Sequence, residues 1–558
     1  MQMKVSEFIV AFMERLGIEY IFGMPGAHIL PVYDALYHSN IEAVLAKHEQ
    51  GAAFMAGGYA KSSDKIGACI ATAGPGATNL ITGIANAYAD NLPVLVITGE
   101  APTYIFGKGG LQESSGEGGS ISQIDLFRSI TSYCKSVERT DYLPQVLSQA
   151  TKALASPSPG PVLLTIPFNV QNETIDSRLL DDLSETPHSK TDAEYVGAHG
   201  KLVAMGKLIL EAEHPVIVAG YGCIRSGAQQ SISALSELLD IPVATSLKGK
   251  GIINEHSPLS LGSLGVTSNG HAYRYIREKS DLLIVLGAGF NERTSYVWDD
   301  SLLRDRKFVQ IDIDPGQLEK VFSAEVAICG DIDTTVRALV DEIGSLNQRK
   351  SANRNSSNNF AQEKGSSNDD WNIFRSRFSL IEAFFNNLSN LFEQEVVLFD
   401  DNIIFAQNFF HLSGQAEYHP NAGISSLGHA IPAAIGAQFH RLRPTFAILG
   451  DGGFQMCCME IMTAVNYGKP LNIVLFNNGT MGLIRKNQHQ LYERRFINCE
   501  FINPDYQVLA RSFGINYKQV RSSSDLKELF EDFDLASSIN LIDIIIDKDA
   551  FPDYSSKR

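Results

Sequence analysis

The feature that most constrains this chain is an alternation of short apolar runs with helix-length segments, which occurs three times along its 558 residues. Each apolar run ends in a Gly-rich or polar turn. This alternation predicts βαβ units, whose strands pair in parallel because the crossover returns the chain to the same end of the sheet. At roughly 150 residues per domain, the length predicts three to four domains. We therefore predict an α/β protein with three doubly wound parallel-sheet domains.

The apolar runs divide the chain into three blocks, at residues 1–172, 199–344 and 371–558, which polar segments 173–198 and 345–370 separate. The predicted strands are YIF, IEAVLA, IGACIATA and LPVLVIT in the first block, PVIVAGYG, IPVATS, DLLIVLG and KFVQIDID in the second, and EVVLFDD, TFAILGDGG, LNIVLFNN and NLIDIIID in the third. The second polar segment has few apolar side chains, so we expect a flexible connector there. The start of the chain has apolar residues at helical spacing, which predicts a core-facing helix rather than a signal peptide.

Composition and charge argue against several classes of protein. A hydrophobic share of 44% with 20% charged residues is that of a globular chain rather than a disordered one. The net charge of −17 offers no general attraction to nucleic acid or anionic lipid, and no apolar run approaches the ~18 residues of a membrane span. The seven cysteines contain no CxxC pair, which is typical of unpaired thiols in a reducing compartment. We expect a cytoplasmic protein without nucleic-acid or membrane partners.

The strongest chemical signal lies at the ends of two predicted strands in the third block. TFAIL ends in Gly450-Asp451-Gly452, and LNIVLF ends in Asn477-Asn478-Gly479-Thr480. Open α/β sheets bind ligands at the carboxyl ends of their strands. Asp451, Asn478 and the carbonyl of Thr480 would offer oxygens to a divalent cation, while the glycines let a diphosphate approach backbone N–H groups. Either half alone is compatible with an ordinary turn, but the pair predicts a site for Mg²⁺ and a diphosphate.

This pattern resembles the signature of the thiamine diphosphate enzymes, in which GDG precedes NN at such a spacing. The resemblance covers nearly the whole chain and is strongest with the acetolactate synthase-like group. It implies a pyrimidine-binding, a central and a diphosphate-binding domain in this order. Leu427 falls where the family places an apolar residue that holds the cofactor bent, although a core leucine is equally compatible with its position. The resemblance implies further cofactor contacts from Ser425, Gly450, Gly452, Gly453, Met481 and Gly482.

A second motif supports the resemblance. Lys47-His48-Glu49-Gln50-Gly51 follows the strand IEAVLA, and the family presents its cofactor-activating glutamate in KHEQGA or RHEQGA. Without the family, Glu49 is a first-turn carboxylate favoured by the helix dipole. The resemblance implies that Glu49 bonds to the aminopyrimidine ring, and burial would favour its protonated form. Since the family's cofactor bridges domains of different subunits, we expect a homodimer or a homotetramer.

Two residues of the first block bear on the reaction. His28 ends the turn that begins at Gly23, and benzaldehyde lyase and its relatives also read GAHI there. Its imidazole could move a proton when an acceptor carbonyl is attacked, although a structural histidine is the alternative. Gln112 matches the glutamine of FQE in acetolactate synthase and would contact a substrate oxygen.

The Gly- and Ser-rich segment Ser114–Ser122 is expected to be a mobile loop over the site, or else an ordinary surface loop.

Three departures separate the sequence from acetolactate synthase. In that enzyme the arginine of GxRFDDR anchors the carboxylate of the second 2-oxo acid, but this chain has Gly289 there. The tryptophan of MVRQWQ corresponds to Asn487, and Pro167-Phe168-Asn169 lacks the lysine of PKD. The chain also has no adjacent His-His pair among its 13 histidines, unlike simple pyruvate decarboxylases.

The sequence therefore predicts an enzyme that uses thiamine diphosphate and Mg²⁺. It would decarboxylate a 2-oxo acid, with pyruvate as the expected donor, and transfer the acyl carbanion to an aldehyde or ketone. The alternatives are the catalytic subunit of acetolactate synthase, a 2-oxo acid decarboxylase and a catalytically dead cofactor-binding relative.

The central block leaves its ligand open. Gly220-Tyr-Gly222 lacks the third glycine of GxGxxG, so a Rossmann fingerprint is not met. Acetolactate synthases bind FAD in this domain, whereas other relatives bind ADP or nothing. Residues 246–251 and Asp312-Ile-Asp314-Pro315 resemble that region, and FAD stays one of these possibilities.

Overall fold

The computed structural model describes residues 2–181, 183, 199–347, 369–392, 395–413 and 415–551. Within these ranges the chain forms three six-stranded sheets, and every strand pair in them is parallel. Each sheet has a hydrophobic core on both faces. The prediction of an α/β fold with three parallel-sheet domains is therefore confirmed.

The first domain contains eight strands and seven α-helices among the described residues. In chain order they are β1 (Gln2–Lys4), α1 (Val5–Arg15), β2 (Tyr20–Gly23), α2 (Leu30–Leu36), β3 (Glu42–Leu45), α3 (Glu49–Ser63), β4 (Gly67–Ala71), α4 (Pro75–Ala89), β5 (Val94–Glu100), α5 (Gln123–Arg128), β6 (Tyr133–Ser136), α6 (Leu143–Leu154), β7 (Val162–Pro167), α7 (Phe168–Gln171) and β8 (Thr174–Asp176). The sheet order is β3-β2-β4-β5-β7-β6.

Strand β8 shows that part of the predicted linker 173–198 belongs to the first domain. It pairs antiparallel with β1, and a 3₁₀ helix at Ser177–Leu180 follows it. Most of the remaining linker, and most of the predicted connector 345–370, lie outside the described residues.

The central domain has the sheet order of a doubly wound fold. Its elements are α8 (His199–Glu211), β9 (Pro215–Ala219), α9 (Tyr221–Ser226), α10 (Gln229–Leu239), β10 (Val243–Thr245), β11 (Ser260–Ser263), α11 (His271–Lys279), β12 (Leu282–Leu286), β13 (Lys307–Asp312), β14 (Val326–Cys329) and α12 (Ile332–Asn347). The strand order is β11-β10-β9-β12-β13-β14, so the chain reverses its direction of winding between β9 and β12. Such a switch point opens a crevice at the carboxyl ends of the strands.

The third domain repeats this architecture. Its elements are α13 (Asp369–Arg377), α14 (Ser379–Leu391), β15 (Val397–Asp400), α15 (Ile404–Phe409), β16 (Glu417–Pro420), α16 (Ala430–His440), β17 (Thr445–Gly450), α17 (Asp451–Cys457), α18 (Ile461–Asn466), β18 (Leu471–Asn477), α19 (Gly482–Leu491), α20 (Tyr506–Phe513), β19 (Asn516–Val520), α21 (Ser523–Asp532) and β20 (Ile539–Ile545). The strand order is β16-β15-β17-β18-β20-β19. The apolar segment after Gly453 is divided between α17 and α18 by a 3₁₀ turn at Cys458–Glu460.

Helices α3 and α16 join the first and third domains through a shared core. The contact is lined by alanines, and glycines lie where the backbones approach most closely. A Cβ at Gly58 would overlap the carbonyl group of Ala433, and a Cβ at Gly436 would overlap that of Met55. Small side chains therefore let α3, which begins at Glu49, pack directly on the third domain.

Candidate active site

Strands β17 and β18 are neighbours, so the loops at their carboxyl ends meet. Asp451 begins α17 and is 1% exposed. Its Oδ2 accepts the backbone N–H of Asn478 at 3.1 Å and of Gly479 at 2.6 Å. The N–H of Thr480 donates to Asn478 Oδ1 at 3.1 Å. The structure thus brings together the three predicted metal ligands on one edge of the third sheet.

The electrostatics of this edge suit a cation. Burial raises the pKa of Asp451, because its charged form loses hydration, while bonds from Asn503 and from backbone N–H groups oppose that shift. No group of three His, Cys, Asp or Glu side chains in the described part of the chain is arranged to hold a metal. A metal at Asp451 would therefore depend on neutral oxygens and on a ligand's own oxygens, which is the environment Mg²⁺ prefers.

Glycines let the two loops approach each other. A Cβ at Gly452 would overlap Met481 Sδ, and one at Gly482 would lie 2.9 Å from Asn478 Nδ2. A Cβ at Gly453 would lie 3.1 Å from Asp401 Oδ2. These predicted cofactor residues therefore share a crowded edge that larger residues would disturb, next to Gly450 at the end of β17.

The sequence prediction missed Asn503, which lies in the same site. Its Nδ2 donates to Asp451 Oδ2 at 2.8 Å and to Asn477 Oδ1 at 2.9 Å, so it holds the ends of both strands together. Asn503 lies in a loop before α20, and its Asn-Pro sequence signals only a turn.

The segment with Ser425 and Leu427 lies on another loop of the third domain. Ser425 adopts a left-handed backbone conformation with φ 58°, and its Oγ lies 3.5 Å from Arg293 Nη2 of the central domain. Arg293 Nη1 also donates to Asn402 Oδ1 at 3.1 Å. Leu427 is half-buried. The central and third domains therefore meet at this predicted cofactor segment.

Asp401 fixes the far end of the same segment. Its buried carboxylate accepts the N–H groups of Gly428 at 2.6 Å, His429 at 3.1 Å and Ala430 at 2.9 Å, which satisfies the start of α16. Burial raises the pKa of Asp401 to about 7 against these three hydrogen bonds. Asp401 directly follows β15, but its partners lie 27 to 29 residues away in sequence, so the sequence analysis did not identify it.

Glu49 begins α3, as its motif predicts. Its Oε2 accepts Asn79 Nδ2 at 3.0 Å, and the side chain is half-buried rather than enclosed in the single chain. The preceding loop is held by Glu460 of the third domain, whose carboxylate accepts the N–H of Lys47 and of His48 at 2.9 to 3.2 Å. The position of Glu49 thus depends on contacts with the third domain.

The structure brings His28 and Gln112 together, although they are 84 residues apart. His28 Nδ1 lies 3.3 Å from Gln112 Oε1, and the imidazole is 8% exposed. Thr72 Oγ1 accepts the His28 N–H at 3.2 Å and lies 3.4 Å from Gln112 Oε1. The His28 carbonyl accepts Gln171 Nε2 at 2.7 Å. His28 is therefore fixed at its N–H, its carbonyl and its ring.

The loop after Gln112 is closed by its own hydrogen bonds. Ser115 and Ser122 form an antiparallel bridge, and the Gly116 N–H donates to the Ile121 carbonyl at 2.9 Å. The Glu113 carboxylate accepts the N–H of Gly107 at 2.5 Å and of Gly110 at 2.9 Å. This arrangement fixes the base of the loop, and Gln112 at its start has a left-handed backbone with φ 56°.

A cavity of about 850 Å³ opens at the carboxyl ends of the central strands, where the switch point predicts a ligand. Its walls include Lys248, Gly289, Arg293 and Asp312, together with Asp90 of the first domain. The side chain of Asp90 is 1% exposed and pairs with Lys61 Nζ at 2.6 Å and with Lys248 Nζ. The first domain is thus joined to the cavity wall by an ion pair.

None of the helices in the described ranges is both long and apolar enough to cross a membrane.

Comparisons with known proteins agree with this architecture. Family models of the thiamine pyrophosphate (thiamine diphosphate) enzymes match the N-terminal TPP binding domain at residues 3–118, the central domain at 203–339 and the C-terminal TPP binding domain at 402–544. The probable acetolactate synthase large subunits of Methanocaldococcus jannaschii and Methanococcus aeolicus are 33% and 31% identical to the chain, and each alignment covers 98% of this chain and 92% of the relative. The isozyme 2 large subunit of Escherichia coli acetolactate synthase is 29% identical over 98% of this chain and 96% of its own length. The chain therefore belongs to the thiamine diphosphate enzymes, in their acetolactate synthase-like group.

Proposed function

We propose that this enzyme decarboxylates pyruvate and joins the resulting two-carbon unit to a second carbonyl compound, with Mg²⁺ and thiamine diphosphate as cofactors. The observation that carries the proposal is the meeting of Asp451, Asn478 and Thr480 at the ends of two neighbouring strands. The names of the relatives support the acetolactate synthase alternative more strongly than a general aldehyde or ketone acceptor. The first candidate for the acceptor is therefore a second 2-oxo acid.

The residues of the third domain bind the cofactor in this proposal. Thiamine diphosphate, when bound, supplies the thiazolium carbon at which a 2-oxo acid loses carbon dioxide. Asp451, Asn478 and the Thr480 carbonyl would hold Mg²⁺ and the diphosphate at this edge, and Leu427 would contact the cofactor. The remaining proposed cofactor contacts are Ser425, Gly450, Gly452, Gly453, Met481 and Gly482.

The first domain supplies the proton-handling groups. The Glu49 carboxyl would hold a proton at the aminopyrimidine ring, and His28 would give a proton to the acceptor's carbonyl oxygen. Gln112 would orient His28 and contact a substrate oxygen. A positioned acid or base contributes about 10²–10⁴ to a rate.

The second candidate acceptor is an aldehyde or ketone without a carboxylate. Gly289 favours it, because the wall of the central cavity has no side chain at this position. The arginine that anchors the second acid in acetolactate synthase has no counterpart at this position.

Incubation with pyruvate alone separates the candidates, because acetolactate as the product supports the first. Free aldehyde without acetolactate supports the second, and a screen of added carbonyl compounds would then identify the acceptor. Failure to release carbon dioxide from any 2-oxo acid would refute both.

A variant at His28 tests the division of roles. In His28→Ala, carbon dioxide release should persist, because that step needs the cofactor and Glu49, whereas ligation should fall by about 10²–10⁴. A coupled alcohol dehydrogenase assay would detect the aldehyde that escapes. An equal loss in both steps would make His28 a structural residue.

We also propose that a nucleotide cofactor, FAD or ADP, binds in the central cavity. The cavity has the volume for a dinucleotide, and Asp312 ends the strand β13, where an acidic residue could bond to a ribose hydroxyl. Denaturing the purified enzyme and recording the visible spectrum of the released ligand would distinguish FAD from ADP. Release of no nucleotide would refute this proposal.

The enzyme is further proposed to act as a homodimer or homotetramer. Large apolar side chains near the diphosphate edge are exposed in the single chain, namely Leu483, Ile484, Ile497 and Ile502, at 40%, 49%, 69% and 97%. A second chain would bury this surface and enclose Glu49 against the cofactor. Light scattering that found an active monomer would contradict this assembly.

A further inference from the structure

We propose that Thr72 is a positioning residue that determines which nitrogen of His28 gains and loses the proton, and that it does so through the side-chain amide of Gln112. The inference rests on the proposed ligation reaction, in which His28 handles the acceptor's proton.

The three residues form a closed set of hydrogen bonds, one of which comes from the backbone N–H of His28. The backbone N–H of His28 can only donate, and it donates to Thr72 Oγ1 at 3.2 Å. The hydroxyl proton of Thr72 is then available to Gln112 Oε1 at 3.4 Å. The same amide oxygen faces His28 Nδ1 at 3.3 Å. Thr72 is 9% exposed and His28 is 8% exposed, so water competes little with these bonds.

This set of bonds selects one orientation of the Gln112 amide. With its oxygen toward Nδ1, the amide accepts Nδ1–H in both the neutral and the protonated imidazole. The proton that moves is then the one on Nε2. With the amide reversed, its NH₂ would face Nδ1, and protonation of His28 would bring two donors together. The Thr72 hydroxyl favours the first orientation because it donates to the oxygen.

Glu100, which also lies near His28, does not select the orientation of the Gln112 amide. Glu100 is buried on β5, and its Oε1 accepts the N–H of Ala101 at 2.7 Å and of Ser114 at 2.9 Å. Its charge interacts with His28, but that interaction is present in both amide orientations. Glu100 therefore holds the backbone near Gln112, whereas the orientation of the amide depends on Thr72.

The test measures the ratio of ligation product to released aldehyde at a fixed donor concentration. Thr72→Val keeps the shape of the side chain but removes the hydroxyl, and we expect the ratio to fall about 2- to 12-fold, the range for one lost hydrogen bond. Thr72→Ser keeps the hydroxyl and should stay within about 2-fold of the parent. An unchanged ratio in Thr72→Val would overturn the inference.

A double-mutant cycle separates this role from simple support of the backbone. Both side-chain oxygens of Glu accept hydrogen bonds, so in Gln112→Glu the orientation of the group no longer matters. In that background Thr72→Val should change the ratio less than about 2-fold. An undiminished loss there would mean that Thr72 only anchors the His28 N–H, and the inference would fail. If the parent enzyme releases aldehyde but ligates no acceptor, the proposed function itself fails, which is a separate outcome.

Discussion

Substitution of Gly58 by alanine tests the packing that joins the first and third domains. A Cβ at this position would lie 2.6 Å from the carbonyl carbon of Ala433 and 2.7 Å from its Cα. These are backbone atoms of α16, which cannot rotate away as a flexible side chain can. Since ordinary contact begins near 3.4 Å, the helices must separate. Overpacking of this kind costs about 1–3 kcal/mol.

The neighbouring glycine provides a matched control. Gly57 lies in the same helix, but a Cβ there would meet only Leu92 Cδ1, at an ordinary 3.7 Å. Gly57→Ala should therefore gain about 0.5–1 kcal/mol, because alanine loses less conformational freedom in a helix. The two adjacent variants are expected to differ by about 1–3 kcal/mol in the free energy of unfolding, because both gain the helix preference of alanine and only Gly58→Ala is overpacked.

Urea titrations of both variants would measure this difference as opposite shifts of the first unfolding midpoint. The affinity for thiamine diphosphate should fall in Gly58→Ala but not in Gly57→Ala. Glu49 is the first residue of α3 and would move when that helix is displaced. Equal midpoints for the two variants would refute the close approach of α3 and α16.

Three further substitutions test individual side chains. Glu49→Gln should retain cofactor binding, measured by calorimetry, but lose most of kcat, and an unchanged kcat would remove Glu49 from the chemistry. Asp451→Ala should abolish Mg²⁺-dependent retention of thiamine diphosphate on gel filtration, and normal retention would place the metal elsewhere. Asp90→Asn leaves Lys61 and Lys248 without their shared carboxylate and should cost about 3–5 kcal/mol of stability in thermal melts. Burial by itself would raise the pKa of Asp90, but the two lysines lower it overall, so this stability is present above about pH 4 and is lost as the pH falls. The stability of Asp90→Asn should therefore fall less between pH 5 and acidic conditions of about pH 3, and an identical slope would refute the pairing.

The central strands of each sheet could be predicted because both of their faces are buried. The sequence of a strand such as β12 or β18 is a short and nearly continuous apolar run, which is typical of a strand buried on both faces. Among the edge strands, β3 was predicted from the apolar run IEAVLA, whereas β6, β11, β14, β16 and β19 were not, because they are short and partly polar. Strand β7 is fully buried but was also not predicted. It follows Pro161 and ends at Pro167, and proline is a turn signal.

The predictability of the site follows the same division between local and tertiary information. Asp451 and Asn478 could be found because each directly follows a recognisable strand. Asp401 and Thr72 also directly follow predicted strands, β15 and β4, but their partners Gly428 and Gln112 are distant in sequence. Asn503 lies in a loop, so these three contacts could be found only from the fold. The pairing of His28 with Gln112 likewise needed the fold, although each residue was identified singly.

The environment of Arg293 connects the two candidate acceptors. Its guanidinium bonds to neutral oxygens, those of Asn402 and Ser425, so these bonds do not neutralise its charge. Burial raises the pKa of Asp400 to about 6, and Arg293 is among the groups that oppose this shift. Arg293 therefore places a guanidinium beside the proposed cofactor segment, with the Asp400 carboxyl as its charged neighbour. An acidic acceptor would need Arg293 to leave Asn402 or to bind the acid from the opposite side, whereas an uncharged acceptor needs no such change. The product formed from pyruvate alone thus also tests whether Arg293 anchors an acidic acceptor.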